Sequence, residues 1–285
     1  MSEIKNIAVI GSGTMGSGIA HVLAAKNFNV SLIDKESSAL KKALATIDSN
    51  LNRQIKKGII LVENKESTLN NINIIAGVEN ISKDTHFVIE AIFENKEAKK
   101  SVYKIIDDRL SPDIIFATNT SSISITELAP RNRAERFIGM HFMNPVPVMK
   151  LVEIIRGHDT SQDTLDITNE LTTKLDKVPV VVEDYPGFIS NRILMPMINE
   201  AIFALYEGVT TKESIDEIMK LGMAHPMGPL TLADFIGLDV CLNILEVLYE
   251  GFGDPKYRAC PLLKKMVAAN KLGRKTGIGF YQYTT

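Results

Sequence analysis

The stretch IKNIAVIGSGTMGSGIAHVLAAKNFNVSLID, residues 4–34, decides the fold of this chain. Its apolar run Ile7–Ile10 predicts a buried strand, and the pattern G-x-G-x-x-G at residues 11–16 follows that strand directly and opens a helix. In such a pattern the first glycine permits a tight turn, the second lets the backbone approach a pyrophosphate, and the third lets the helix pack against the strand. The stretch therefore predicts a βαβ unit that binds a dinucleotide.

The residues of this pattern that we expect to contact the dinucleotide are Gly11, Gly13, Thr14, Met15 and Gly16. A second apolar run, residues 30–33, ends at Asp34, eighteen residues after the last of these glycines. A carboxylate at that point accepts hydrogen bonds from the hydroxyls of an adenosine ribose and repels a 2′-phosphate. The pattern thus favours NAD over NADP, although Lys35 places beside Asp34 a cation that would partly tolerate a 2′-phosphate.

Composition and charge argue against several classes of protein. The 285 residues include 32 Lys and Arg against 34 Asp and Glu, so no overall field attracts nucleic acid or an anionic membrane surface. The two cysteines, Cys241 and Cys260, are too few for a disulfide scaffold and lack zinc-ligand spacing, so no metal site is predicted. Neither an apolar signal region nor a run of membrane-spanning length is apparent, and the predicted location is the cytoplasm.

Short β-branched runs alternate with longer helical stretches as far as about residue 183. This alternation predicts an α/β fold of the Rossmann type, with a doubly wound, mostly parallel sheet whose strands are mostly buried on both faces. One long helix is predicted from Ser37 to about Lys57. The predicted strands are Ile4–Ile10, Asn29–Asp34, Ile72–Ala76, Phe87–Ile92, Ile114–Asn119, Arg136–Phe142, Leu151–Arg156 and Val178–Val182.

From residue 184 onward the sequence changes to helical patterns separated by loops rich in glycine and proline. The predicted helices are Phe188–Tyr206, Lys212–Leu221, Leu230–Tyr249 and Leu262–Asn270. We therefore predict two domains, a dinucleotide-binding domain over residues 1–183 and an all-helical domain over residues 184–285.

Polar side chains interrupt or follow three of the predicted strands. Residues 118–122 (TNTSS) and 141–145 (HFMNP) lie at strand ends, where open α/β sheets bind their ligands, and Glu153 lies within the aliphatic run 151–155. A carboxylate among aliphatic residues needs a cationic or hydrogen-bonding partner, and His141 is the obvious one. Because histidine titrates near neutral pH, this pair can move a proton. The alternative is a buried ion pair that only joins two strands.

Several stretches resemble the 3-hydroxyacyl-CoA dehydrogenase family, and together with the glycine motif they cover essentially the whole chain. They are ATNTSS (117–122), MHFMNPVPVMKLVEII (140–155), DYPGFISNRI (184–193), HPMGPLTLADFIGLDV (225–240) and GRKTGIGFYQY (273–283). In length the chain is similar to the short bacterial members that act on 3-hydroxybutyryl-CoA. The resemblance implies an NAD-dependent oxidoreductase that interconverts (S)-3-hydroxybutyryl-CoA, or another short-chain 3-hydroxyacyl-CoA, and acetoacetyl-CoA or the matching 3-ketoacyl-CoA.

The same resemblance implies the residues of the site. The family's catalytic histidine falls on His141 and the glutamate that orients it on Glu153. The serine and the asparagine that position the substrate fall on Ser121 and Asn191. Further cofactor contacts are implied at Ala91, Glu94, Lys99, Asn119, Ser121, Asn144 and Lys275.

A coenzyme A substrate carries phosphates that a local basic group would bind. Arg53 and Lys57, on the long predicted helix, are the candidates for these contacts, and a basic face that is only solvated is the alternative. The resemblance also implies a homodimer formed through the C-terminal domain.

Two other functions stay open at this point. One is an oxidoreductase of similar architecture that oxidises a free hydroxy acid or sugar acid instead of a thioester. The other is a non-catalytic NAD-binding protein, against which the complete set of Ser121, His141, Glu153 and Asn191 argues.

Overall fold

The apolar runs of the first 184 residues form one eight-stranded sheet in the computed structural model, which describes residues 4–283. The strands are β1 (Asn6–Ile10), β2 (Asn29–Asp34), β3 (Ile72–Ala76), β4 (Phe87–Glu90), β5 (Ile115–Thr118), β6 (Phe137–Phe142), β7 (Leu151–Arg156) and β8 (Val178–Glu183). Their order is β3-β2-β1-β4-β5-β6-β7-β8, and all neighbours are parallel except β6 and β7. The predicted fold class, with a mostly parallel, doubly wound sheet, is confirmed.

Helices connect these strands and pack on the sheet. They are α1 (Thr14–Ala24), α2 (Ser37–Lys56), α3 (Val62–Asn70), α4 (Lys96–Asp107), α5 (Ile125–Leu128) and α6 (Gln162–Lys174). Leu40, Ile47 and Leu51 form a buried stripe along α2, as the spacing of its apolar residues predicts. Burying one such side chain stabilises the fold by about 1.5–3 kcal/mol, so this stripe holds α2 in place.

The strand order reverses between β1 and β4, and an open α/β sheet forms the crevice for its ligand at such a point. Hydrogen bonds across this edge keep the strand ends together. The N–H of Gly11 donates to the carbonyl of Ile33 at 2.8 Å, and the N–H of Ala91 donates to the carbonyl of Ile10 at 2.7 Å. The glycine motif therefore lies where the topology places a ligand.

The two edge strands depart from the expected burial on both faces. Val178, Val180 and Val181 of β8 are 56%, 44% and 43% exposed. In β3, three of the five residues are exposed. An edge strand has a neighbouring strand on one side only, so an apolar sequence there does not require full burial.

Residues from Tyr185 onward form a second unit of helices with a hydrophobic core of its own. The helices are α7 (Ser190–Tyr206), α8 (Lys212–Gly222), α9 (Pro229–Ile236), α10 (Leu238–Phe252) and α11 (Pro261–Ala268). Ile198 and Ile202 of α7 and Leu245 of α10 are fully buried in this core. The helical character predicted for the C-terminal region is confirmed, while its role in substrate binding and dimer formation stays a prediction.

One predicted helix of this unit is wrong. The sequence pattern predicts a single helix over Leu230–Tyr249, but α9 ends at Ile236 and α10 begins at Leu238. Gly237 between them has a φ of 107°, which a right-handed helix cannot contain. The apolar periodicity continues through this glycine, and so it conceals the break.

Two findings on the described part of the chain concern membrane spans and metal sites. Within residues 4–283, no helix is long and apolar enough to cross a membrane. The same residues contain no group of three or more His, Cys, Asp or Glu side chains that could hold a metal ion.

Candidate active site and cofactor cavities

The backbone packs so closely after β1 that two positions of the glycine motif cannot carry a side chain. Gly11 has a φ of 97°, and a Cβ there would lie 2.5 Å from the carbonyl oxygen of Ala91. A Cβ at Gly16 would lie 1.8 Å from the carbonyl oxygen of Gly11, which excludes every side chain. Gly13 differs, because a Cβ there would meet no atom within 4 Å. The space beside Gly13 is open to a ligand at the N-terminus of α1, where free N–H groups favour an anion.

Two cavities border Gly13, and the larger of these two, of about 740 Å³, also borders Gly11. Mostly apolar residues from the ends of β1, β2, β3 and β4 and from α4 line this cavity, together with three charged side chains, Asp34, Lys35 and Glu79. Cofactor pockets commonly measure ~300–1,000 Å³ and combine apolar walls with a few polar groups. The larger cavity therefore has the size and the lining of an adenosine site, and Ala91, a predicted cofactor contact, lies in its wall.

Asp34, at the end of β2, is held by hydrogen bonds from Ser12. The N–H and the hydroxyl of Ser12 both donate to Oδ2 at 2.8 Å, and the N–H of Glu36 donates to Oδ1 at 3.1 Å. Burial acts to raise the pKa of Asp34, but these donors outweigh it and hold the pKa below its ordinary value. The side chain is thus an ionised acceptor in the wall of the larger cavity, as a ribose contact requires.

A smaller cavity, of about 440 Å³, also borders Gly13 and Asp34. Its walls are formed by residues of the glycine motif and α1, by α2, and by the loop Asn144–Pro147 that follows β6. The predicted cofactor contacts Thr14 and Asn144 both lie in these walls. The side chains that α2 contributes include Lys42, Thr46 and Asn50. Hydroxyls, an amide and an ammonium beside a helix N-terminus suit phosphate groups.

The two basic residues predicted to bind coenzyme A lie at the C-terminal end of α2. Arg53 is exposed and donates to the hydroxyl of Ser49 at 3.4 Å, and Lys57 is the C-cap residue of the helix. Neither residue lines the smaller cavity, whereas Lys42 on the same helix does. The role of Arg53 and Lys57 stays a prediction.

His141 and Glu153 are direct neighbours across the antiparallel strands β6 and β7. His141 Nδ1 lies 2.8 Å from Glu153 Oε2, and the two residues are 7% and 2% exposed. A carboxylate at one ring nitrogen fixes the orientation of the imidazole and stabilises its protonated form. The structure thus brings together the two residues predicted to form the catalytic pair. Their catalytic role stays a proposal.

The turn that follows β5 carries Ser121 and is held by Glu94. Glu94 Oε1 accepts hydrogen bonds from the Thr120 hydroxyl at 2.6 Å and from the N–H groups of Ser121 and Ser122 at 2.9 and 3.0 Å. The Ser122 hydroxyl adds a fourth at 3.1 Å. Two predicted site residues, Glu94 and Ser121, therefore meet here, and Glu94 fixes the backbone from which the Ser121 side chain projects.

Asn119, directly after β5, joins that strand to the strand of His141. Its side-chain Oδ1 accepts a hydrogen bond from the N–H of Phe142 at 2.9 Å, and its own N–H donates to the carbonyl of Glu90 at 2.7 Å. Asn119 thus ties together the ends of three strands, β4, β5 and β6. Its predicted contact with the cofactor stays a prediction.

Lys99 lies in the first turn of α4 and is fully buried. Its ammonium donates to Glu90 Oε1 at 2.8 Å and lies 3.6 Å from Glu94 Oε2. The direct cofactor contact predicted for Lys99 stays a prediction. Because its ammonium is buried, an indirect role is favoured, in which Lys99 holds the Glu94 side chain in place.

Two predicted site residues belong to the second unit. Asn191 is buried in the first turn of α7. The ammonium of Lys275 donates to Asp239 Oδ2 at 2.6 Å. Their roles toward substrate and cofactor stay predictions.

Sequence reasoning did not assign several residues that the structure places in the cavity walls or in contact with predicted site residues. Ser12 lies inside the glycine pattern, and its hydroxyl could have been recognised from the sequence as a polar group of the cofactor site. Glu90 ends the apolar run Phe87–Ile89, and a carboxylate there carries the same signal that singled out Glu153. Lys42 and Asn50 had no local signal, because only the packing of α2 brings them to the smaller cavity.

Comparison with known proteins gives matches along nearly the whole chain. Residues 6–185 match the model of the 3-hydroxyacyl-CoA dehydrogenase NAD-binding domain. Residues 187–283 match the model of the C-terminal domain of the same family.

Individual relatives agree with the two domain matches. The probable 3-hydroxybutyryl-CoA dehydrogenase of Bacillus subtilis (strain 168) is 53% identical over 99% of this chain and 98% of its own. The 3-hydroxybutyryl-CoA dehydrogenase of Clostridioides difficile is 52% identical over 97% of this chain and 99% of its own. The crystal structure of (S)-3-hydroxybutyryl-CoA dehydrogenase from Ralstonia eutropha is 48% identical, with a TM-score of 0.95 over 99% of this chain and 100% of that one. This chain therefore belongs to the 3-hydroxyacyl-CoA dehydrogenase family and is an NAD-dependent oxidoreductase that acts on a CH–OH group.

Proposed function

We propose that this chain interconverts (S)-3-hydroxybutyryl-CoA, or another short-chain 3-hydroxyacyl-CoA, and acetoacetyl-CoA or the matching 3-ketoacyl-CoA. The observation that carries the proposal is the buried His141–Glu153 pair, 2.8 Å apart in the sheet that also carries the glycine motif. A buried pair of ionisable side chains is a weak source of stability, so its presence favours a chemical role. The names of the three relatives described above support the same substrate.

His141 is the proposed general acid and base. In the oxidation it takes the proton of the substrate hydroxyl, and in the reduction it returns a proton to the ketone oxygen. Glu153 holds the ring in place and stabilises the imidazolium that forms. Ser121 and Asn191 are proposed to donate hydrogen bonds to the reacting oxygen and to the thioester carbonyl.

NAD, when bound, supplies the nicotinamide that accepts or returns the hydride. The residues of the first unit fit this cofactor. The open space beside Gly13 suits a pyrophosphate, and the carboxylate of Asp34 in the wall of the larger cavity suits the ribose hydroxyls. The contacts proposed for Ala91, Glu94, Lys99, Asn119, Ser121, Asn144 and Lys275 would complete the site.

Turnover of acetoacetyl-CoA with NADH, followed by the loss of NADH absorbance, tests the proposed function. We expect kcat/KM for free acetoacetate to be at least about 10²-fold lower, because binding of the coenzyme A moiety contributes to the reaction rate. Equal activity on the free acid would instead assign the chain to oxidoreductases of free hydroxy acids. NADH binding without turnover of either compound would indicate a non-catalytic NAD-binding protein.

The Asp34→Ala variant is expected to lose much of the preference for NADH over NADPH. Removing the carboxylate removes a charge-assisted acceptor, so kcat/KM for NADH should fall about tenfold or more. The value for NADPH should fall less or rise, since the repulsion of the 2′-phosphate is relieved. Glu36→Ala, which removes an exposed carboxylate two residues further on, serves as the matched control. Equal kcat/KM for the two cofactors in the unmutated enzyme would contradict this role of Asp34.

Replacing Arg53 and Lys57 together by Ala is expected to raise KM for acetoacetyl-CoA by about two- to five-fold at low salt. The effect is small because exposed charges on α2 are screened by solvent. KM for NADH should stay unchanged. Lys104→Ala/Arg109→Ala, which removes two exposed cations of the same types elsewhere in the first unit, is the control. No change relative to this control would assign Arg53 and Lys57 to a solvated basic face.

The homodimer through the C-terminal domain and the location in the cytoplasm stay predictions. Sedimentation of the purified chain over a range of concentrations tests the dimer.

A further inference from the structure

A wholly buried carboxylate, Glu90, ends β4 and has no part in the mechanism above. Four donors satisfy its two oxygens. The Lys99 ammonium at 2.8 Å and the Ile92 N–H at 2.7 Å donate to Oε1. The Tyr103 hydroxyl at 2.5 Å and the Thr118 hydroxyl at 2.8 Å donate to Oε2. Glu90 is therefore the centre of a saturated polar cluster at the carboxyl edge of the sheet.

Such a cluster needs a reason other than stability. Charges are costly to remove from water, and an apolar cluster of the same shape often stabilises a core equally well. Burial, reinforced by the nearby negative charge of Glu90, raises the pKa of Tyr103 well above its ordinary value, so the Tyr103 hydroxyl serves as a neutral donor. The charged members of the cluster are Glu90 and Lys99, and both are 0% exposed.

The ammonium of Lys99 links Glu90 to Glu94, because it lies 2.8 Å from an oxygen of the first and 3.6 Å from an oxygen of the second. The Glu94 side chain is 38% exposed, and its other oxygen accepts the hydrogen bonds that hold residues 120–122. Glu90, Lys99, Glu94 and the turn of Ser121 thus form one continuous series of contacts.

We propose that Glu90 is a positioning residue for the reaction: it anchors Lys99, whose ammonium holds Glu94, and Glu94 fixes the turn that carries Ser121. This inference rests on the proposed function, because the task of Ser121 is to position the substrate. Without the charge of Glu90, the ammonium of Lys99 is attracted toward Glu94 and competes with the N–H and hydroxyl donors of the turn. The geometry of the turn then changes, although no residue that touches the substrate has been replaced.

The Glu90→Gln variant tests this proposal. We expect kcat for acetoacetyl-CoA reduction to fall about tenfold, since a small displacement of a positioning group costs up to ~10²-fold. The Kd of NADH, measured by fluorescence, should rise by a smaller factor than kcat falls, because the glycine motif and Asp34 are intact and only the proposed cofactor contacts of Glu94 and Lys99 are disturbed.

Asp107→Asn is the matched control at the opposite end of α4. Asp107 accepts a hydrogen bond from Arg133 Nε at 2.8 Å, and the Arg133 side chain is 1% exposed, so this pair is also a buried cation with a carboxylate. Arg133 donates to the carbonyls of Leu110, Ser111 and Ile114, which precede β5, at the edge of the sheet away from the cavities. We expect Asp107→Asn to lower Tm and to leave kcat unchanged.

Two further variants separate positioning from a loss of stability. Glu90→Gln/Lys99→Met removes both buried charges, so we expect Tm to recover toward the wild-type value. We expect kcat to stay low, because the Lys99 ammonium that holds Glu94 is gone. Glu94→Gln changes a partly exposed side chain, and we expect it to lower kcat to a similar extent with little change in Tm.

The results that would overturn the proposal are distinct from those that would overturn the proposed function. Recovery of both Tm and kcat in the double variant would make Glu90 purely structural, and so would wild-type kcat in Glu94→Gln. Absence of turnover in the unmutated chain would reject the proposed function instead.

Discussion

The His141→Gln variant is expected to lower kcat for acetoacetyl-CoA reduction by about 10²–10⁴-fold, the contribution of one positioned general acid. Glutamine fills a similar volume and keeps a hydrogen bond within reach of Glu153, but it cannot deliver a proton. The Kd of NADH should stay close to the wild-type value, because the predicted dinucleotide contacts in the glycine motif and at Asp34 are untouched. Stopped-flow loss of NADH absorbance gives the rate, and NADH fluorescence gives the Kd.

His158→Gln is the control for this substitution. The side chain of His158 is exposed, and its backbone N–H donates a hydrogen bond to the Thr126 hydroxyl, which the substitution leaves in place. The variant should therefore keep wild-type kcat. A His141→Gln enzyme that reduces acetoacetyl-CoA at more than about a tenth of the wild-type rate would exclude His141 as the general acid.

The Glu153→Gln variant is expected to reduce kcat by about 10- to 150-fold, the equivalent of ~1.5–3 kcal/mol for a hydrogen bond to a charged group. The amide keeps the shape of the side chain but removes the negative charge 2.8 Å from His141 Nδ1. An anionic partner favours the protonated imidazole, so losing it makes protonation harder. Reduction of the ketone requires the protonated form, and the pH–rate profile should therefore shift to lower pH.

Glu183→Gln is the matched control, since Glu183 is an exposed carboxylate on the neighbouring strand β8. It should change neither kcat nor the pH–rate profile. If Glu153→Gln kept a normal kcat and an unshifted profile, Glu153 would only join two strands, and the proposed acid–base pair would be wrong.

The features predicted well from the sequence are those that depend on neighbours along the chain. The glycine pattern of residues 11–16 requires a tight turn and close backbone packing, and the contacts of Gly11 and Gly16 show both requirements. β2, β3 and β7 have the predicted bounds, because short runs rich in aliphatic and β-branched residues are local signals.

The pairing of His141 with Glu153 was predicted from the need of a buried carboxylate for a partner, and not from the spacing of the two residues. A carboxylate in an aliphatic run needs a partner, and the antiparallel register of β6 and β7 supplies it. The same requirement applies to Glu90, which ends the apolar strand β4, but its partner Lys99 follows on the next helix and has no distinctive spacing. A single buried charge can therefore be recognised in a sequence more readily than its partner.

The break between α9 and α10 and the exposure of β8 could not be predicted in the same way. Gly237 stands within an uninterrupted apolar periodicity, and only its φ of 107° separates the two helices. The valines of β8 have the composition of an interior strand, yet their exposure follows from the position of the strand at the edge of the sheet. Both outcomes depend on what packs against the segment.

The sequence by itself determined the fold class, the dinucleotide motif and the chemical types of the site residues, because these follow from backbone geometry and apolar patterning along the chain. Only the tertiary structure decided which side chains meet: Ser12 with Asp34, Lys42 with the smaller cavity, and Glu90 with Glu94 through Lys99. These contacts join segments from different strands and helices. Their distances depend on how the strands are ordered and how the helices pack, which no local stretch of sequence encodes.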